Sequence, residues 1–189
     1  LEKDEEIEKV IVDIIDEVIE YLKLSFVSVA KVSESKNLVE IIGQKYDESF
    51  ATEKCFMENL MLDVNPYYNG ETILVMEPDT EDESLKNILI KYNLKSMISV
   101  PIITGKEPSI YAVFGESRYN RFWDTNTVRF LFDVCKMIQT FIYKRISKNS
   151  LISSYEALKE ILNNLASGIF VVEKTDKTIL FCNDTMMKM

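Results

Sequence analysis

Apolar residues recur at spacings of three and four through the first stretch of the chain. Ile7, Val10, Ile11, Ile14, Ile15, Val18, Ile19 and Leu22 fall on one side of a helix drawn over Asp4–Lys23. Glu5, Glu6, Glu8, Asp13, Asp16, Glu17 and Glu20 fall opposite, and the early acids suit the positive end of the helix dipole. From Ser25 the pattern changes to Phe26, Val27, Val29 and Val32, the β-branched and aromatic chemistry of a strand. The polar run Ser33–Asn37 predicts a turn, and Leu38–Ile42, closed by Gly43, predicts the returning strand of a hairpin. A helix is expected over Ala51–Val64, offering Cys55, Phe56, Met57, Leu60 and Met61 to a buried face and stopped by Asn65–Pro66. Gly70 then breaks the chain before a strand over Thr72–Met76.

Glu77–Glu83 places acids at 77, 79, 81, 82 and 83 around Pro78 and reads as a solvated loop. A short helix follows, with Leu85, Ile88, Leu89 and Tyr92 on one face. Ser96–Ile103 predicts a strand in which Pro101 marks an edge or a bulge. Thr104–Gly105–Lys106 is the turn into a strand over Ile110–Gly115, and Asp124 is an N-cap for the helix beyond. Between Val128 and Tyr143 the polar positions Arg129, Asp133, Lys136, Gln139 and Thr140 form a narrow stripe, so this helix carries more apolar surface than one sheet face can cover. A second buried face is expected, against the first helix and a partner subunit. No Gly or Pro interrupts Thr125–Ser167, and Lys144–Ser150 is the polar weak point of that run. Leu151, Leu158 and Leu165 lie seven apart with Ile161 between, the pattern of a short coiled-coil seam or of an ordinary amphipathic helix. Ile169–Val172 and Thr178–Cys182, joined by Thr175–Lys177, predict a second hairpin, and Asn183–Asp184 a cap for a helix after it. A hairpin alone is marginal in water, so this one is read as the start of something larger.

Composition narrows the function classes. A net charge of −9 opposes a phosphate-binding surface, so no nucleic-acid partner is expected. The chain contains no histidine, which removes Ser/His/Asp and Cys/His catalysis and the commonest zinc and haem ligand. Cys55, Cys135 and Cys182 are odd in number and far apart, the usage of reduced thiols in a cytosolic protein. No stretch approaches the roughly 18 uninterrupted apolar residues of a membrane span, and the acidic start is unlike a signal peptide. Cytoplasmic location without membrane contact is the expectation.

These elements resemble a known arrangement. Asp4–Lys148 resembles a GAF domain, on Ser96, Val100–Pro101–Ile102, the Gly105 turn, the strand Tyr111–Phe114, and Arg121–Phe122–Trp123–Asp124 leading into the helix with Phe130–Leu131. Leu158–Met189 resembles the opening of a PAS domain, on Ile161–Leu165, Gly168–Ile169–Phe170–Val171–Val172 and Ile179–Leu180–Phe181–Cys182–Asn183. The resemblance implies an α+β fold: an antiparallel sheet of five or six strands, helices on both faces, long first and last helices, and a partial PAS-like hairpin. The expected organisation is a dimerisation helix over 1–23, a GAF-like domain over 24–148, a signalling helix over 149–167 and a truncated PAS-like start over 168–189.

Function follows from the same resemblance. The chain is expected to be the sensory module of a bacterial signal-transduction protein, homodimeric through its first and last helices, with any catalytic output domain outside it. The implied small-molecule pocket lies between the sheet and Gln44–Tyr92, where Tyr46, Phe50, Phe56, Tyr67, Tyr68, Met76, Asp79 and Ser99 are the candidate ligand-binding residues. The same aromatics and methionines also fit a plain core, and a ligand-free dimerisation and relay module is the alternative. The cyclic-nucleotide signature Asn–Lys…Phe…Asp–Glu is not met by Asn120–Arg121–Phe122–Trp123–Asp124. No cysteine is followed by histidine, so neither haem nor bilin is expected. No metal site or catalytic residue is predicted; the cofactor, if one exists, is unknown.

Overall fold

The computed structural model describes residues 5–33, 37–47, 50, 56–68, 73–103 and 109–188. The expected turn at Thr104–Lys106, the Gly70 break and Cys55 lie outside them. The chain forms two compact units, Leu1–Phe141 and Ile142–Met189.

The first unit opens with α1 (Glu5–Leu22), β1 (Phe26–Ser33) and β2 (Leu38–Tyr46). It continues through α2 (Phe56–Val64), a 3-10 turn (Asn65–Tyr67), β3 (Leu74–Met76), α3 (Glu83–Lys91), β4 (Ser96–Ile103), β5 (Ser109–Glu116) and the first part of α4 (Thr125–Asn163). The five strands make one antiparallel sheet in the order β2-β1-β5-β4-β3. This is the α+β architecture that the resemblance to GAF domains implies.

One departure from the expected elements has a local cause, and one expected irregularity is met. Gly43 does not end its strand. Ala30 pairs with Ile41 and Val29 with Gly43, leaving Ile42 as an extra residue, and this bulge reverses which side chains face which way. It brings Tyr46 to the same face as its cross-strand partner Phe26, and turns Gly43 toward α1. There a Cβ would stand 3.2 Å from Ile11 and 3.3 Å from Val12, so the missing side chain is what lets the helix lie close. Pro101 sits in an interior strand, but β3 pairs only with Met97–Ser99, so β4 is locally an edge at the proline, and its register with β5 shifts just after it.

The sheet buries both faces. One carries Phe26, Ala30, Val32, Met97, Tyr111 and Val113 beneath α2 and α3, which add Met57, Leu60, Met61, Val64, Leu85, Ile88 and Leu89. The other carries Val27, Val29, Ile98, Val100, Ala112 and Phe114, each at most 1% exposed. On this side α1 buries Ile11, Ile15, Val18 and Ile19, and α4 buries Leu131, Val134, Cys135 and Ile138, the i, i+3, i+4, i+7 stripe of a packed helix. Gln139 Nε2 donates to Ile102 O (2.5 Å), fixing α4 along β4.

In the second unit α4 runs through Lys144–Ser150 without a break and ends at Asn163, four residues before the expected Ser167. Two short strands follow, β6 (Phe170–Val172) and β7 (Ile179–Cys182), then one turn of helix, α5 (Asp184–Met187). Asn183 is buried and spends its amide on four bonds. Its Nδ2 donates to Leu162 O and Ser167 O (2.9 Å each), and its Oδ1 accepts from Ile169 N (2.8 Å) and Met186 N (3.1 Å). One side chain therefore closes the helix end, starts the hairpin and caps α5, as the Asn183–Asp184 pair suggests. Both the expected boundary after Lys148 and the division after Phe141 fall inside α4.

Candidate functional site

The register lays face-one residues in rows across the sheet. The first row is Tyr46, Phe26, Gly115, Met97 and Met76; the second is Gln44, Ser28, Val113, Ser99 and Leu74. Gly115 is the empty square on which Phe26 lies: a Cβ there would meet the Phe26 ring at 2.1 and 2.2 Å. Flattened onto the sheet, Phe26 becomes the floor of an aromatic cluster. Phe50 stacks on it at 5.7 Å and Phe56 meets it edge-on at 5.7 Å. Tyr46 closes the side at 6.4 Å from Phe26, and Tyr92 of α3 meets Phe56 edge-on at 5.6 Å. These offset and T-shaped geometries are the favoured ones for aromatic pairs. Three of the sequence-predicted residues, Tyr46, Phe50 and Phe56, are thus brought together.

Tyr68 and Ser99 form a second group toward the middle of the sheet. The Tyr68 ring lies flat on Tyr111, with centroids 3.9 Å apart and planes 9° apart. Ser99 Oγ donates to Tyr68 Oη (3.0 Å), which donates in turn to Met61 Sδ (3.5 Å). Burial pushes the Tyr68 phenol above its usual range. Met76 is fully buried beside this group and Tyr67 packs against the same core. Asp79 is not part of it. That residue stands exposed in the loop before α3, because a carboxylate has no partner inside an apolar cluster and solvation holds it outside.

The rim carries the charge. Lys91 Nζ and Tyr92 Oη both donate to Asp63 Oδ2, joining α2 to α3. Burial pushes the Asp63 carboxyl up, but these two bonds outweigh it and hold it below the usual range. Burial, then the Asp63 carboxylate, raises Tyr92 to about 12. Burial, with Glu58 nearby, does the same for Tyr46. Neither phenol is poised as a base near neutral pH.

A polar cluster that sequence reasoning missed lies at the end of the sheet. Glu116 is fully buried, and its Oε1 accepts from Ser25 Oγ (2.7 Å), Ser117 N (3.0 Å), Arg118 N (2.8 Å) and Arg118 Nε (3.0 Å). Burial raises this carboxyl, and the Arg118 and Ser25 bonds more than offset it, so it stays ionised below the usual range. The arginine fork continues to Lys23 O (2.5 Å), while Arg121 donates to Leu22 O (2.6 Å). Two cations thereby cover the carbonyl end of α1, where the helix dipole is negative. Trp123 N donates to Glu77 Oε1 (2.6 Å), tying the acidic loop to the entry of α4. The available signal was the glutamate itself, a charged residue at the inward-facing end of a strand pattern.

On the second face a groove of about 280 Å³ runs between α1 and α4, lined by Val10, Asp13, Ile14, Glu17, Met137 and Phe141. Met137 is 51% and Phe141 41% exposed, so the over-supplied apolar face of α4 is partly uncovered in a single chain. Cys135 lies under it, its thiol pushed up to about 12 by burial, which leaves it unreactive. Among the described residues no cluster of three carboxylates or thiols is placed to hold a metal ion, and no helix is long and apolar enough to cross a membrane.

No protein-family profile and no curated protein matches this chain. Solved structures do. The GAF domain of PixJ from Thermosynechococcus elongatus, in its blue-light-absorbing form, aligns with a TM-score of 0.62 at 14% identity, over 83% of this chain and 96% of that one. A domain assigned to a two-component sensor histidine kinase protein of Sinorhizobium meliloti 1021 aligns at 0.54 and 14%, over 76% and 94%. The far-red-absorbing dark state of JSC1_58120g3, with bound biliverdin IXa, aligns at 0.51 and 14%, over 69% and 86%. The fold is that of GAF domains. The expectation of no bilin does not stand, because chains of this fold include one that holds biliverdin. It rested on missing histidine and Cys–His pairs, which are individual ring partners; the sheet-and-helix frame around a tetrapyrrole is independent of them.

Proposed function

We propose that this chain is a sensory module of a signal-transduction protein. It takes a small ligand on the aromatic face of the sheet and passes its state, as a homodimer, through α1 and α4. The observation that carries this reading is the division of labour between the faces. The first carries an aromatic cluster and four buried methionines among aliphatic side chains beneath two short helices, the second two long helices with an apolar groove left between them. GAF-fold neighbours from a photoreceptor and a sensor kinase support the class. Biliverdin in one of them is a precedent for a planar conjugated ligand.

The dimer is built where α4 is over-supplied, with Met137 and Phe141 of each copy covered by the other. Beyond Phe141, α4 continues with Leu151, Leu158 and Ile161 exposed at 72, 54 and 60%, and Leu165, just past its end, is 43% exposed. This surface suits a paired helix leading into a PAS-like second unit organised by Asn183. A ligand-free relay is the second reading, favoured by how fully the first face is filled: Met57, Met61, Met76 and Met97 are all at 0% exposure.

Light scattering on the purified chain tests the relay, which both readings share. A dimer at tens of micromolar that Met137→Glu with Phe141→Glu converts to a monomer is the expected result; a monomeric wild type removes the relay. A thermal-shift panel of cyclic nucleotides, purines, amino acids, small acids and biliverdin tests the ligand. A compound at a hundred times its dissociation constant adds about 2.7 kcal/mol. Silence across the panel leaves the ligand-free reading in place.

A further inference from the structure

We propose that Tyr68 is an internal stand-in for a planar conjugated ligand, which binds by displacing it and stacking on Tyr111. The inference rests on the ligand-sensing reading and adds where the ligand sits, what it looks like and what it must move.

Four observations converge on Tyr68. On this face Ala30 and Pro101 lie beside Tyr111, and Ser28 and Ser99 flank Val113 in the next row, so the small residues leave a shallow seat that the Tyr68 ring fills. The stack is also unlike the other aromatic pairs of this unit. Tyr68 and Tyr111 are nearly face to face at 3.9 Å, whereas the pairs among Phe26, Tyr46, Phe50, Phe56 and Tyr92 are tilted, edge-on or stacked at 5.4–6.4 Å. A flat ring thus rests on the face of Tyr111 at contact distance, closer than the roughly 4.5–7 Å centroid separations usual for aromatic pairs. A planar conjugated molecule fits the same place on that face.

The attachment of Tyr68 is light. It follows the 3-10 turn as an extended residue outside any helix or strand, with its N–H on Asn65 O (3.1 Å). Its hydroxyl donates to a thioether, a weak acceptor. Moving the ring therefore breaks no ladder, and it frees the Ser99 hydroxyl to address the incoming molecule. Finally, Met61, which the Tyr68 hydroxyl touches, shares its buried cluster with Met57, Met76 and Met97, unbranched side chains that re-pack around a new shape more readily than β-branched ones do.

Titration of the purified chain with indole and benzimidazole, with cyclohexanol as a non-planar control, tests the proposal by thermal shift and intrinsic fluorescence. A site occupied by its own plug most of the time weakens apparent affinity by the open fraction, so removing the plug should tighten binding about tenfold or more. The expected result is weak binding of a planar probe to wild type, at least tenfold tighter binding to Tyr68→Ala, and loss in Tyr111→Leu. Tyr68→Leu, which keeps most of the volume, gives the same order if the alanine variant does not fold. Equal affinity in wild type and Tyr68→Ala, survival of binding in Tyr111→Leu, or cyclohexanol binding as well as the planar probes would overturn the inference and leave a ligand elsewhere on this face possible. Binding by Tyr68→Ala alone, with none by wild type, identifies a cavity made by the mutation and overturns it too. The sensing reading itself fails separately, on silence of wild type across the broad panel above.

Discussion

The two faces of the sheet use the same strands and differ in the kind of side chain they bury. The α1/α4 face is Val27, Val29, Ile98, Val100 and Ala112 with Phe114, packed against Ile11, Ile15, Val18, Ile19, Leu131 and Ile138. β-Branched residues hold one χ1 rotamer, so this side has a single shape. The α2/α3 face mixes methionine, tyrosine and phenylalanine with leucine, isoleucine and valine, over a sheet surface that includes Ser28, Ala30, Ser99 and Gly115. The contrast separates a face of fixed shape from one that can accommodate change, and substitutions on each side can test it.

The largest effect belongs to the pair that sets the aromatic floor. Phe26→Ala removes a fully buried ring and should cost about 3–5 kcal/mol. Gly115→Ala places a methyl 2.1 Å from that ring, and the overpacking should reach or exceed the upper end of about 1–3 kcal/mol. Because each change relieves part of the other, urea unfolding of Phe26→Leu with Gly115→Ala should show a loss well below the sum of the singles. Additive losses would mean that Phe26 and Gly115 do not act as one unit.

Next comes the carboxylate at the end of the α1/α4 face. Glu116→Gln leaves Ser25 and Arg118 donors facing an amide in a buried site, with an expected cost of about 1–3 kcal/mol. The sign of its pH dependence is fixed by the lowered carboxyl. Its contribution is fully present above 4.5, its ordinary value, and is lost as pH falls through the lower folded value. The gap between wild type and Glu116→Gln in denaturant melts should therefore be widest above 4.5 and close on further acidification. A gap that grows toward acid would refute the assignment.

Much of this contrast was legible before any coordinates. The wide apolar face of α1, the over-supply on α4 and the apolar strand runs of β4 and β5 were all read from residue type and spacing, which hydrophobic burial enforces directly. The aromatic group of Tyr46, Phe50 and Phe56 was found because it lies on the segments that close over the sheet. What spacing does not carry is register. The bulge at Ile42 decides that Tyr46 joins Phe26, and neither Gly43 nor its neighbours announce it. Tyr111 was overlooked because its role depends on a partner 43 positions earlier, Tyr68. Glu116 was passed over for the same reason, since the donors that hold it come from Ser25, at the start of β1, and from Arg118.

The smallest expected effects sharpen the comparison most, because they probe shape at nearly constant composition. Val100 is fully buried among single-rotamer neighbours, so Val100→Ile adds a methylene where nothing can turn aside, and about 1–3 kcal/mol should be lost. Met61→Leu, equally buried, changes shape at similar volume beside Met57 and Tyr68, which can shift, and should cost less than about 1.5 kcal/mol. The methionine variant should also keep any ligand response, whereas a rigid site would lose it with the shape. If Met61→Leu proves the costlier of the two, the aromatic face is as closely fitted as its opposite. Tyr68 is then a core residue in its final place, and this face holds no seat for a ligand.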